Sequence, residues 1–409
     1  MLTEEHLKRY ADVMLWGLHT ARSHPFQKGD VILIRFEKPG IRLVEYIYDK
    51  LLRKGFHPIP RMGLSVEMEK SFYDLADKRQ LTFIAPGEKE LYENLNGSIY
   101  IHAPESITHL QHVDPRRIAR STVARKKLRD ILISREEKGL LGWTLCMFPT
   151  AELAAHARLT EAEYAQQIIR ACYLDHPDPV RMWRSVFRKA TAIKQWLNRL
   201  PVQAFHIQSE RTDLIVTPGK KRKWIGVTGH NIPSFELFLS PDWRGTTGVY
   251  FADQPSFRSG NYVENVRLEF RKGRVVDISA ETGADFVRKQ LFMDPGACQV
   301  GEFSLTDRRF SSIDRFMANT LYDENFGGEN GNCHIAVGSS YSDTYDGDPS
   351  ELTPEMKKRM GFNDSALHWD LVNTEPKTVT AILPGNQRLL IYRDGEFQEA
   401  AAIHSRKKS

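Results

Sequence analysis

The hydrophobic pattern of this chain changes character at Pro201, and that change limits the folds open to it. Before it, short β-branched or aromatic runs alternate with stretches of helical period. After it come short runs broken by Gly, Pro and Asp, and long helices nearly vanish. Strand–helix alternation builds a mostly parallel sheet covered by helices, whereas closely spaced strands build antiparallel sheets. At 409 residues the chain also exceeds the usual size of one domain. The expected architecture is α/β, or α+β overall: an N-terminal α/β domain with a mostly parallel sheet over 1–200, and a C-terminal β-rich domain over 201–402.

In the first half, Thr3 is placed to cap a helix reaching to about His24, and VILIRF at 31–36 reads as a buried strand. Ile41, Val44, Ile47, Tyr48, Leu51 and Leu52 recur at helical spacing before Gly55, and FHPIP is a second strand. The alternation continues: a helix over Val66–Lys78, a strand at LTFIA (81–85), a helix at EKELYENL, strands at SIYIHAP and GWTLCMFP, and a long basic helix between these last two. Neither GxGxxG nor GxxxxGK[ST] follows any strand, so a scaffold or substrate-binding role fits this half better than a nucleotide site. Helices over about Thr160–Tyr173 and between Pro179 and Pro201 close it. Met182, Val186, Ile193 and Leu197 mark the apolar face of the second, and Trp183 and Trp196 are expected in the core. Beyond Pro201, AFHIQSE, TDLIVTP, KWIGVTG, GVYFAD and NVRLEFRKGRVVDIS read as β segments. RKGR (271–274) and GKKRK (219–223) read as hairpin turns, and GADFVRKQLF and SSIDRFMANT are the remaining helices.

Composition removes several function classes. No run of about 18 apolar residues occurs, so no membrane span is expected, and the charged N-terminal stretch does not resemble a signal peptide. The four cysteines lack CxxC spacing and lie beside apolar residues, as buried free thiols in a reducing cytoplasm would. A formal charge of +5 does not imply nucleic acid. The cluster Arg116, Arg117, Arg120, Arg125, Lys126, Lys127 and Arg129 is expected to be a solvated helix face, and the RKKS tail to be frayed.

The chemistry gathers in four blocks of the second half. TGHNIPSFELFLSPD holds Glu236 in an apolar run, and DPGACQVGEFSL holds Glu302 after Gly301. TLYDENFGGENGNCHIAVGSSY offers Glu324 or Glu329, His334 and Tyr341; NDSALHWDLV places His368 and Asp370 two apart, on one face of a strand. A carboxylate buried alone costs several kcal/mol or stays protonated, so each block read singly favours a satisfied structural residue. Together, two imidazoles and four carboxylates form a ligand set for borderline divalent ions, with enough donors for two. A dinuclear phosphoesterase and a binding protein with a vestigial metal site use similar donors. The first normally shows more clustered Asp and His; structural zinc sites are mostly Cys-rich.

The four blocks, in this order and approximate spacing, resemble the motif series of the aminopeptidase T/aminopeptidase S family of metalloaminopeptidases. The resemblance implies a two-domain enzyme that releases N-terminal residues from peptides with two divalent ions, Zn, Co, Mn or Mg not being distinguished. Glu236, Glu302, Glu324, His334, His368 and Asp370 fall on its metal-ligand positions, with Glu329 an alternative to Glu324, and Tyr341 falls on its active-site tyrosine. Glu302 or Glu324 is then the carboxylate that moves the water's proton, Glu302 being the expected one. The resemblance further implies a cytoplasmic homodimer. Phe235, Arg308 and Arg309 depart from the family pattern; they leave the ligands intact but leave substrate preference open, since they could reshape the pocket.

Overall fold

The computed structural model describes residues 1–258 and 261–398, so the RKKS tail and the last residues of the 201–402 segment lie outside it. The described chain forms two compact units. The first comprises Met1–Trp183 with Thr228–Ser234, the second Arg184–Val227 with the residues from Phe235 on. The helix Pro179–Asn198 gives its first turn to the first unit and the rest to the second.

In the first unit, five parallel strands are ordered His57–Met62, Val31–Phe36, Gly97–His102, Gly142–Met147 and Asn231–Ile232. Such strands are buried on both faces, which is why VILIRF is almost uninterrupted in its hydrophobicity. The helix Glu4–Thr20 is shorter than its sequence pattern suggested. It begins with Thr3 and His6 capping each other and buries Leu7, Tyr10, Met14 and Leu18. LTFIA is not a strand. Asp77 and Gln80 form a reciprocal capping box that winds Lys78–Leu81 into a helical turn, and the chain after it is irregular. The basic helix Pro115–Glu137 ties Arg117 to the Tyr73 and Ala76 carbonyls and Lys126 to Asp130, while Arg116 pairs with Asp114. Trp183 is fully buried and stacks on Trp16 at 5.6 Å; Trp196 is half-buried.

The second unit holds two antiparallel sheets and a short hairpin, Ser256–Arg258 with Asn261–Val263. Its eight-stranded sheet runs Arg274–Ser279, Val266–Arg271, Thr247–Ala252, Asp213–Val216, Ala204–Gln208, Thr378–Ile382, Arg388–Arg393, Glu396–Phe397. RKGR is the expected two-residue hairpin turn: Arg271 and Arg274 pair, and Lys272 and Gly273 take positive φ. GKKRK does not join neighbouring strands. Arg222 bridges to Tyr345 and lays its guanidinium over Phe362, 3.4 Å from the ring centroid. KWIGVTG is interrupted by positive φ at Gly226, Val227 and Gly229 and keeps only the Ile225–Phe238 bridge. SSIDRFMANT is not helical. The Asp323 carboxylate accepts the Met317 and Asn319 N–H groups, Ser311 Oγ accepts that of Ile313, and Ala318 has φ of 52°.

The four-stranded sheet is ordered His368–Asn373, Asn332–Gly338, Val300–Thr306, Glu236–Leu239. One face carries Phe303, Leu305, Ile335, Trp369 and Leu371, all buried. That face meets the larger sheet: Phe303 lies 5.5 Å from Phe205, and the Tyr250 hydroxyl donates to the Cys333 and Leu371 carbonyls. The alternate residues necessarily occupy the opposite face. All four cysteines are buried free thiols, and among the described residues no helix is long and apolar enough to cross a membrane.

Candidate metal centre

Strand register assembles the centre. In antiparallel pairing, directly opposed residues share a face. Glu302 opposes Ala336, which opposes Asp370; Ser304 opposes His334; Thr306 opposes both Glu236 and Asn332; Gly338 opposes His368. Every sheet residue of the predicted ligand set therefore lies on one face. Ala336 and Ser304 are small enough to leave room between the acids. A bulge between Val300 and Glu302 sets the position of Glu302, and it requires glycine. A Cβ on Gly301 would lie 2.3 Å from the Ser339 carbonyl oxygen.

His334 Nε2 sits 3.1 Å from Glu302 Oε1 and 3.2 Å from Glu236 Oε2, with Asp370 Oδ1 at 3.9 Å. His368 Nε2 lies 3.4 Å from Asp370 Oδ1 and 3.9 Å from Glu302 Oε2. Two groups of donor atoms result, Glu236/Glu302/His334 and Glu302/His368/Asp370, each within 4.8 Å, and Glu302 belongs to both. His368 Nδ1 donates to the Ser339 carbonyl at 2.8 Å, which leaves the inward-facing Nε2 as the nitrogen that can bind a metal once it loses its proton. Ser304 Oγ donates to Glu236 Oε2 at 3.0 Å.

Glu324 comes from outside the sheet, just after the turn Thr320–Asp323, and is 8 % exposed. Burial, and then the carboxylates of Glu236 and Asp370, hold its carboxyl well above the usual range. Glu324 is thus the residue that faces the cluster. Glu329 is exposed, and its carbonyl is taken by Arg308.

The charges are out of balance. Burial pushes Glu302 up to about 7; Glu236 adds to this, while His334 and His368 oppose it. Burial works against charging either imidazole. Hydrogen bonds to Glu236 and Glu302 nevertheless hold His334 above its ordinary value, and Asp370 and Glu302 raise His368 to about 9. Asp370 is held down at about 2 despite burial, chiefly by His368. Arg258, partly buried beside Asp370, adds a third positive charge, yet Glu302 and Glu324 are still pushed toward their protonated forms, so the protein supplies too little compensation to keep all four carboxylates ionised. A divalent cation supplies it, and the donor set fits one: carboxylate oxygens plus an imidazole nitrogen already oriented by its other ring nitrogen.

Tyr341 packs edge-on against His368 at 4.7 Å between ring centroids and lies 6.0 Å from Phe238; its N–H donates to Ser240 Oγ. The residue is 44 % exposed, so one side of it is open. Burial of the rest, with Glu302 and Asp370 nearby, keeps the phenol neutral. The residues that depart from the family pattern have partners of their own. Phe235 is fully buried, and Arg308 and Arg309 are held by Glu396, Asp307 and the Phe397 carbonyl. Sequence reasoning missed Ser304, which period-two alternation from Glu302 would have found, and Asn325, which adjoins Glu324.

A β-sheet face of carboxylates and imidazoles, within a chain that also carries a parallel α/β sheet, defines a metal-dependent hydrolase. The chain belongs to the thermophilic metalloprotease family M29, whose pattern it matches over residues 3–397. Its cofactor is accordingly a divalent metal and its substrates are peptides. It is 27 % identical over 394 residues to aminopeptidase AmpS of Bacillus subtilis, covering 91 % of this chain and 94 % of that one. It is 29 % identical over 306 residues to aminopeptidase T of Thermus aquaticus, covering 70 % and 73 %. The solved structure of wild-type AmpT from Thermus thermophilus has the same fold, with TM-score 0.76 over 96 % of this chain and 99 % of that chain, at 22 % identity.

Proposed function

We propose that this chain is a metal-dependent aminopeptidase that removes N-terminal residues from peptides using two divalent ions. The observation that carries the reading is Glu302, whose Oε1 faces His334 while its Oε2 faces His368, so that one carboxylate serves both donor groups. Glu236 and His334 would hold one ion, His368 and Asp370 the other, with Glu324 completing the set. When bound, the ions supply a polarising charge and a water of lowered pKa.

The protein's own groups do the remaining work. Glu302 or Glu324 takes the proton of the attacking water and delivers it to the leaving amine. The Tyr341 hydroxyl, neutral at pH 7, donates to the oxygen that becomes negative in the tetrahedral state. Residues 1–200 act as the scaffold and substrate-binding domain in this reading, and 201–402 as the catalytic domain. We further propose a cytoplasmic homodimer. An exposed apolar groove lined by Leu64, Met68, Phe72, Leu75 and Phe83 offers surface of the kind such a contact buries.

Release of amino acid from aminoacyl chromogenic substrates, with N-acetylated and phosphate-ester controls, tests the activity. The free-amine substrate alone should be cleaved, and activity should vanish on chelation and return with added metal. Activity that survives with no metal bound would overturn the proposal.

A further inference from the structure

Glu324 reaches the metal centre from a loop, and Glu236 stands at the first position of a four-residue edge strand. Neither location fixes a carboxylate well, since edge strands and loops have few ladder bonds to set their register. One buried side chain joins the two. Asn325 Oδ1 accepts the Phe235 N–H at 2.5 Å and the Glu236 N–H at 3.1 Å. Its Nδ2 donates to the Leu321 carbonyl at 2.9 Å and lies 3.4 Å from Glu324 Oε1. Asn325 is fully buried.

The sheet holds the same segment from the other side. Thr306 and Asn332, in the row of Glu236, both donate to the Glu324 carbonyl, at 3.3 and 2.9 Å, and Asn332 also reaches the Phe326 carbonyl. Ser311 Oγ donates to the Asn325 carbonyl at 2.5 Å. The backbone around Glu324 is thus fastened to the sheet by carbonyl contacts, and Asn325 alone among these side chains reaches back to the Glu236 main chain.

We infer that Asn325 is a positioning residue for the metal centre: its amide sets the distance between Glu236 and Glu324, and so the affinity of the ion held on the Glu236/His334 side. His368 and Asp370 stand on the opposite edge strand, where His368 has its own anchor in the Ser339 carbonyl, and Glu302 stands on the inner strand Val300–Thr306, held by that strand's ladder; Asn325 bonds to none of the three. This inference rests on the two-ion reading above.

The test is metal titration by calorimetry with zinc, and with cobalt followed by its visible absorption, on metal-free wild type, Asn325→Ala and Asn325→Asp. The aspartate keeps both accepted N–H bonds but replaces the Nδ2 donor by a second carboxylate oxygen, which faces the Leu321 carbonyl and Glu324. In Asn325→Ala one ion should weaken by about 10–100-fold, as losses of ligand-orienting partners do, while the other stays within about threefold. In Asn325→Asp too, one ion should stay within about threefold of wild type. Two ions bound as in wild type by Asn325→Ala, or both weakened equally, overturns the inference. Should the alanine variant not fold, equal weakening of both ions in Asn325→Asp overturns it instead. Wild type that binds a single ion sinks the two-ion reading; the positioning role then stands or falls on whether that ion weakens in Asn325→Ala.

Discussion

Among the described residues, two clusters of carboxylate, imidazole and tyrosine stand in contrast, and one of them looks like a place for chemistry. At the carboxyl ends of the parallel strands, Glu37 accepts from the Tyr100 hydroxyl and, at 2.6 Å, from the Ala103 N–H. His102 Nδ1 lies 3.0 Å from the Tyr100 oxygen and 3.5 Å from Glu37. Burial opposes ionisation of Glu37, but His102, Tyr100 and the N–H outweigh it, and its carboxyl is held below the ordinary range. One acid meets three partners and is content as an anion. In the metal centre four acids share two imidazoles, and Glu302 and Glu324 are pushed up instead. Residue type does not separate a structural cluster from a metal site; the balance of donors to acceptors does.

The largest effect that would break this contrast is on activity. Glu302→Ala and His334→Ala should lower kcat/KM by about 10³-fold or more while leaving circular dichroism unchanged, since each removes a member of the donor set and Glu302 also removes the proposed base. Glu37→Ala, in the closed cluster, should leave kcat/KM within about twofold of wild type, as expected of a residue without a catalytic role. A comparable loss in Glu37→Ala would erase the distinction between the clusters. Next in size is Tyr341→Phe, which keeps the ring against His368 and removes only the hydroxyl. Loss of an oxyanion donor predicts a fall in kcat of about 10²-fold, with KM and bound metal nearly unchanged. A change confined to KM would make Tyr341 a substrate-binding residue.

Proton competition sharpens the comparison further. Before an ion can bind, protons must leave His368, near 9, and Glu302, near 7, and also His334 and Glu324, which are both held above their ordinary values. Metal affinity should therefore rise with pH between 6 and 9 and fall as pH drops. The decline should steepen below 7, by about tenfold per pH unit for each proton displaced. Titrations at a series of pH values give this slope directly; a flat profile between pH 6 and 9 would contradict the placement of these groups in the ligand set.

Much of this centre was legible in the sequence because its ligands obey a period of two. Glu236, Glu302, His334, His368 and Asp370 all sit in apolar strands, where a charged residue is conspicuous, and the register delivers them to one face. Glu324 was ambiguous because it lies in a loop, where no periodicity distinguishes it from Glu329; burial decides between them. The fold was read well wherever hydrophobic period ruled. It was misread where side chains captured the backbone: the Asp77–Gln80 capping box turned LTFIA away from a strand, and Asp323 kept SSIDRFMANT from becoming a helix. Phe235, Arg308 and Arg309 were suspect as unusual residues next to ligands. Their partners, however, lie in the core and along Glu396–Phe397, contacts distant in sequence that no local pattern announces.

The smallest effect concerns stability without metal, and it has opposite signs in the two clusters. Glu302 has a folded-state pKa of about 7 against an ordinary value of 4.5. Its contribution is fully present below 4.5 and is lost as pH rises through 7, where the charged form is buried among other acids. Metal-free Glu302→Gln should thus be more stable than metal-free wild type at pH 8, by up to about 3 kcal/mol, the hydrogen bond to His334 offsetting part of that gain. Glu37 has a depressed pKa, so its contribution is present above 4.5 and is lost as pH falls toward its folded value. Glu37→Gln should be less stable than wild type at pH 8, by about 1–2 kcal/mol, and the difference should shrink in acid. Thermal melts of the two variants at pH 8 and pH 4, after exhaustive chelation, measure both signs. If Glu302→Gln were destabilising at pH 8 to the same degree as Glu37→Gln, the centre would already be compensated by the protein itself, and its acids would have no need of a cation.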